Sequence, residues 1–244
     1  MKTRLIFLML LILTIAFLTG CATHYTTPAG GVSIAEIADE DIEALFTREP
    51  ASPFPARLAV VRVQDSGYVT KTSTGYGSGR YTIVTTRDIE TDEDFQKIQE
   101  LPMIAAIAPL SRLLVPANAS TMKDLRIPAA KLKADMLLLY SVDTSFNVEG
   151  TSLGPLSLVS LGFIPNKKAF VTSTVSGALI DVRTGFIYGT TEATEKEEQR
   201  ASMWSTEAAI DASRIRAEHR AFQSFLDEFR RLWKNVSEEH VTRR

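Results

Sequence analysis

A single cysteine, Cys21, occurs in the 244 residues, so no intrachain disulfide can brace the fold and its core must hold by apolar burial alone. The same residue closes a distinctive stretch. Lys2 and Arg4 precede an uncharged apolar run, Leu5–Leu18, which ends in Leu18-Thr19-Gly20-Cys21. The run is short of the roughly twenty residues a spanning helix needs. It has the charged head and apolar centre of an export signal.

An ordinary signal cut at Gly20-Cys21-Ala22 would leave a lone thiol at the new terminus. The Leu-Thr-Gly-Cys pattern gives that thiol a use, with residues 1–20 removed between Gly20 and Cys21 and a lipid attached to Cys21. Here the chain resembles bacterial lipoproteins. The resemblance implies more than one acyl chain, which is what stable anchoring requires. Ala22, in place of an aspartate after the cysteine, implies sorting to the outer membrane, with the remaining chain facing the periplasm. Apart from covalent lipid on Cys21, no cofactor is expected.

The formal charge is −2, and removal of Lys2 and Arg4 makes the remainder more acidic. No basic stripe with interleaved aromatics occurs, so nucleic acid is excluded as a partner. What remains after the signal has single-domain size. Residues 21–32, with Pro28 and Gly30-Gly31, read as a flexible tether. Residues 33–55 read as a short helix opened by a Ser33/Glu36 capping pattern, then a linker held extended by Pro50, Pro53 and Pro55. Residues 56–236 form the periplasmic domain, and 237–244 a frayed tail.

The expected fold class is α/β with α+β character: one compact domain, a mixed sheet packed by helices, and a long amphipathic C-terminal helix. Leu58–Val63 is a β-branched run suited to a buried strand. Tyr68–Thr74 and Tyr81–Thr86 are expected to form a hairpin across Gly75–Gly79. Those glycines do not make a phosphate cradle, because a strand follows them where a P-loop or dinucleotide fingerprint opens a helix. Thr91 and Thr121, each with an aspartate three residues on, start helices, and Met103–Ala108 is a short strand between them. Met136–Val142 is the most hydrophobic strand and should lie centrally. Ala169–Val182 and Phe186–Thr191 flank the turn Asp181-Val182-Arg183-Thr184-Gly185 as an antiparallel hairpin, and Glu192–Arg200 reads as a solvated edge. From Ser205 to Val236, Ile215, Phe222, Phe225, Leu226, Phe229, Leu232, Trp233 and Val236 mark a helix face that packs on the sheet.

Catalytic and metal motifs are lacking. His24, His219 and His240 form no metal-ligand spacing and are expected in solvent. No G-x-S-x-G elbow occurs. Asp135, Asp143 and Asp181 are expected at strand ends in structural hydrogen bonds. The uncharged stretch Thr151–Pro165 stands out, with Leu153, Leu156, Leu158, Val159, Leu161, Phe163 and Ile164 among glycines and prolines. It reads as core between strands, as a patch that docks a partner, or as a membrane-inserting hairpin.

Two phrases carry a wider likeness: Lys131-Leu132-Lys133-Ala134-Asp135-Met136-Leu137-Leu138-Leu139-Tyr140 and Ile180-Asp181-Val182-Arg183-Thr184-Gly185-Phe186-Ile187-Tyr188-Gly189. With the lipidation pattern they resemble envelope lipoproteins of the rhombotarget type. More distantly they resemble the curli-secretion channel lipoprotein and the lipoprotein activators of penicillin-binding proteins. That resemblance implies a compact α/β fold acting by binding, without enzymatic activity. It implies an envelope protein as partner, or a homo-oligomeric export component in which segment 151–165 touches membrane or neighbouring subunits.

Overall fold

A thirteen-residue strand after Ala134-Asp135, apolar almost throughout Met136–Val142 and alternating beyond it, sets the architecture. A computed structural model describes residues 23–32, 42–148, 151–153, 158–161, 168–200 and 207–242. The elements run β1 (Thr23–Thr26), α1 (Ile42–Phe46), β2 (Ala56–Asp65), β3 (Tyr81–Val84), α2 (Asp92–Gln99), β4 (Ile104–Pro109), α3 (Met122–Lys131), β5 (Met136–Val148), β6 (Thr151–Leu153), β7 (Leu158–Leu161), β8 (Lys168–Asp181), β9 (Ile187–Arg200) and α4 (Glu207–Thr242). Among the described residues no helix is long and apolar enough to cross a membrane.

The main sheet is mixed, with the path β3-β2-β5-β8-β9, β4 added beside β2 and β6 beside β5. β5 is central as expected. It runs parallel to β2, with Leu58 opposite Met136 and Arg62 opposite Tyr140, and antiparallel to β8 from Met136–Asp181 to Val148–Ala169. Alternate side chains build two cores. Leu58, Val60, Leu138 and Tyr140 face α2 and α4, whereas Ala59, Val61, Leu137 and Leu139 face α3. Both faces being covered explains why these strands lack a polar alternation.

The β8–β9 hairpin forms as the sequence indicates. Asp181 is fully buried, and its carboxylate accepts hydrogen bonds from the Arg183 and Thr184 N–H groups at 2.8 and 2.9 Å, closing the turn that Gly185 leaves at φ +76°. β9 carries the charged Glu192–Arg200 run along the sheet edge, where charge discourages pairing with another chain. Thr91 and Thr121 each complete a capping box, with Asp94 and Asp124. Pro128 lies inside α3.

Several boundaries differ from the sequence reading. Tyr68–Thr74 is no strand of a hairpin. β3 instead pairs antiparallel with Arg62–Asp65, because its four side chains are all buried there, whereas Val69 is 57% exposed. The 68–74 stretch closes on itself, the Thr70 N–H donating to the Ser73 carbonyl. Gly79 serves close packing, since a Cβ there would strike the Ala119 backbone.

The tether reading fails over its described part. β1 pairs with β7, Thr27–Ala29 are buried, and the Asp65 N–H donates to the Gly30 carbonyl. The linker before residue 56 also belongs to the core. The Ala51 N–H and the Ser52 hydroxyl both donate to Asp181, and Phe54 packs on Trp233 with ring centroids 5.8 Å apart. The start of the first helix lies outside the described residues. In its described part, α1, no side chain is buried. The tail is not frayed at 237: α4 continues to Thr242, Ser237 is buried, and the His240 ring meets Tyr188 edge-on at 5.2 Å.

Candidate functional site

Arg62 is the one charge inside the apolar run of β2, and it points to the α4 face between strand and helix. Its side chain is 1% exposed. A guanidinium so placed needs carboxylates, and they come from two directions. The chain leaving β3 supplies Asp88 and Glu90, at 3.0 and 3.6 Å. From α4 comes Glu218, at 3.9 Å. The Tyr68 hydroxyl also accepts from Arg62 at 2.8 Å.

On α4, Asp211, Arg214 and Glu218 follow one another at three- and four-residue steps and face the sheet. Arg214 donates to Asp211 at 3.0 Å and to Glu218 at 2.5 Å, and lies 3.5 Å from Asp88. The Thr144 hydroxyl of β5 donates to Glu218 at 2.9 Å, and the Tyr140 hydroxyl to Glu90 at 2.6 Å. His219 Nδ1 lies 2.7 Å from the Ile89 carbonyl, tying α4 to the loop that carries Asp88 and Glu90.

The electrostatics follow from burial. Desolvation opposes the charge on Arg62, yet Glu90, Tyr68, Glu218 and Asp88 together raise its pKa above the ordinary arginine value. Burial lifts the Glu218 carboxyl above the usual glutamate value against the pull of Arg214, Arg62 and Thr144. It also pushes the Tyr68 phenol up to about 12 and the Tyr140 phenol well above its ordinary value. Two guanidiniums therefore face four carboxylates across the sheet–helix interface. Arg62 Nε and Glu90 Oε2 have no hydrogen-bond partner there.

A cleft of about 270 Å³ opens onto this cluster, lined by Arg62, Glu90, Tyr140, Phe95, Arg87 and Arg112 among others. Its origin is topological. β3 and β4 pair with the same edge of β2, β4 reaching Val60 and β3 reaching Arg62. Both strands end at that point. The chain after β3 then passes to α2, on the α4 side, and the chain after β4 passes to α3 on the other side.

The residues singled out from sequence lie elsewhere. Gly20 and Cys21 are outside the described residues, as are Leu156, Phe163 and Ile164. Leu153 falls in β6, which pairs with the far end of β5, and Leu158, Val159 and Leu161 fall in β7, paired with β1. Asp135 and Asp181 do make structural hydrogen bonds. Asp135 accepts from the Arg57 N–H and from Arg183, and Asp181 from Ala51, Ser52 and Tyr188. Asp143, expected at a strand end, sits in the middle of β5 and is exposed.

His219 and His240 are half-buried rather than in solvent. The face assigned to α4 also needs correction: Ile215 is only partly buried, while Arg214 beside it is fully buried. The signal was available. Asp211, Arg214 and Glu218 continue the stripe that runs on through Phe222, Phe225 and Phe229 by the same three- and four-residue steps.

No family model matches the chain, and no curated protein matches it. Among solved structures it is similar to protein XCC0632 from Xanthomonas campestris, described under the family model DUF330, at 13% identity and a TM-score of 0.37, over 88% of this chain and 99% of that one.

Proposed function

We propose that the chain is an outer-membrane lipoprotein whose periplasmic domain acts without catalysis, as a binding component in assembly or maintenance of the cell envelope. One structural observation supports the reading above others: β1 starts two residues after Cys21, pairs with β7 in a separate two-stranded sheet and packs against α4. Two residues reach about 7 Å when fully extended, so lipid on Cys21 seats the domain directly on the bilayer. A partner must then be met at that surface. Binding rather than chemistry is further supported by the charged cluster, whose side chains hold one another across the α4–sheet interface.

The anchor is tested by Cys21→Ser. The variant is expected in the soluble periplasmic fraction while the parent sediments with outer membranes, and unchanged sedimentation of the variant sinks the anchor reading. A second reading, an oligomeric export component, draws support from the Thr23–Leu161 register, which sets part of the uncharged 151–165 stretch beside the anchored end. In the same fractionation, Val159→Asp with Leu161→Asp should abolish crosslinked oligomers of the anchored protein if that reading holds. Retained oligomers would remove it.

A further inference from the structure

We infer that the cleft on the α3 side of the sheet, between residues 30–32 and β9, is a binding site for a linear aliphatic diamine, with Asp143 and Glu192 each taking one ammonium. The inference concerns the folded domain and stands whether or not Cys21 carries lipid.

The cleft follows from where the helical cover ends. On this face α3 packs over the rows Leu137–Ile180 and Leu139–Ala178 of β5 and β8. The next rows, Ser141–Ser176–Glu192 and Asp143–Thr174–Thr194, carry hydroxyls and carboxylates in place of apolar groups. Residues 30–32 wall one side. They lie so close to β5 that a Cβ on Gly30 would stand 3.0 Å from Asp143 Oδ1, and one on Gly31 2.8 Å from Ser141 Oγ. What remains open is a cleft of about 540 Å³ whose polar lining includes Ser141, Asp143, Ser176, Thr190 and Glu192.

Two independent observations point to a cation. The first is charge of one sign: Asp143 and Glu192 line the cleft, and no lysine, arginine or histidine among the described residues does. Neither carboxylate has an ion-pair partner among the described residues. On α4, by contrast, the exposed Asp227 and Glu228 each pair with an arginine three residues on. The second is an unfilled hydrogen bond. Ser141 is only 6% exposed and lines the cleft, yet its hydroxyl has no hydrogen-bond partner among the described residues. Buried polar groups are almost always paired. Ser141 thus offers an acceptor on the same strand face as Asp143. At the other end the Ser176 hydroxyl donates to Glu192 Oε2 at 2.7 Å, which leaves Oε1 for a ligand.

Spacing selects the kind of cation. Asp143 and Glu192 stand two strands and one row apart, so their Cα atoms are separated by roughly 12 Å, from about 4.8 Å between strands and about 6.8 Å between rows. Two ammonium groups on one chain suit that separation. An extended four-carbon diamine holds its nitrogens about 6 Å apart, and each reaches a carboxylate oxygen across about 2.8 Å. Val32 and Leu139, which also line the cleft, give the methylene chain an apolar contact.

The test is calorimetric titration of the full chain in detergent micelles with tetramethylenediamine, with n-butylamine as the singly charged comparison and magnesium chloride as the compact divalent one. The diamine should bind saturably with a Kd of about 1 mM or tighter, and butylamine and magnesium about tenfold more weakly. Asp143→Asn and Glu192→Gln, both exposed changes, should each weaken the diamine about tenfold, and Ser141→Ala about threefold. Glu198→Gln removes the same charge from the same strand and face beyond the cleft and should leave affinity unchanged, with Tm showing that all four variants fold. No saturable heat from the diamine, butylamine or magnesium binding as tightly, or an equal loss in Glu198→Gln overturns the proposal. So does a lysine-glycine-lysine peptide that binds where the diamine does not, which assigns the cleft to a protein partner.

Discussion

The two ends of α4 hold the same sheet by opposite chemistry. From Phe222 to Val236 the buried face is aromatic and aliphatic, with Tyr140 and Phe225 centroids 5.8 Å apart and the Trp233 indole donating to the Pro102 carbonyl. From Asp211 to Glu218 the face is ionic and just as buried, Arg214 being 0% exposed. The apolar end gains from any close contact, since the hydrophobic effect has no direction. The ionic end depends on geometry, because desolvated charges are tolerated only when paired and hydrogen-bonded.

Truncation at each end separates these modes. Phe225→Ala removes a fully buried ring from the main core and should cost about 4 kcal/mol. Arg214→Met keeps much of the volume yet leaves Asp211 without its buried counter-charge and Glu218 with Arg62 alone, at 3.9 Å, at a cost of about 3 kcal/mol. Urea unfolding at neutral pH measures both. The sharper outcome is the rescue: adding Asp211→Leu and Glu218→Leu to Arg214→Met should restore much of the loss, as apolar replacements of buried ion networks do. No rescue would mean that the ionic end contributes net stability that apolar packing cannot replace.

The same contrast explains what could be read from the residues alone. The faces of β2 and β5, the capping boxes at Thr91 and Thr121, the Asp181–Gly185 turn and the aromatic stripe of α4 depend on short-range patterns, and all formed. Arg62 and Arg214 are not legible in that way, because a charge in a buried run is recognisable only once its partners are known. Those partners, Asp88, Glu90 and Glu218, lie 26, 28 and 156 positions from Arg62. Residues 68–74 misled for a related reason: β-branched and hydroxyl residues suit a strand, but the more apolar Tyr81–Val84 took the available edge of β2. Thr23–Val32 has the composition of a loop, and only the backbone partners of β7 and Asp65 reveal that it is docked.

Acidity divides the two ends further. Burial raises the folded pKa of Glu218 above its model-peptide value of 4.5 despite Arg214 and Arg62. The native state therefore holds that proton more tightly than the unfolded chain, and the associated stabilisation is complete below 4.5 and lost as pH rises through the folded value. Asp94 and Asp181 behave oppositely. Burial alone would raise them, but hydrogen bonds from Gln223, Thr91 and Lys97 in one case, and from Thr184, Ala51, Ser52 and Tyr188 in the other, hold them below 3.8. Their contribution is present above 3.8 and disappears as pH falls through their folded values. Glu218→Gln should thus flatten the decline in stability above pH 4.5 and leave the acid limb unchanged, measured by urea unfolding from pH 3 to 8. An unaltered upper limb would show that Glu218 carries no excess proton affinity.

The smallest effect isolates burial from charge. Glu228 and Arg231 sit on the outer side of α4 and pair at 2.6 Å with the same three-residue spacing as Asp211 and Arg214. Their side chains are 39% and 74% exposed, against 4% and 0% for the inner pair. In water the Coulomb attraction is weak, ordering two long side chains costs entropy, and salt screens what remains. Glu228→Gln should therefore change stability by less than about 0.5 kcal/mol and become neutral in high salt, while the Arg214→Met deficit persists there. A deficit at Glu228 comparable to that at Arg214 would mean that charge pairing along α4, and not its burial against β2, distinguishes the two ends.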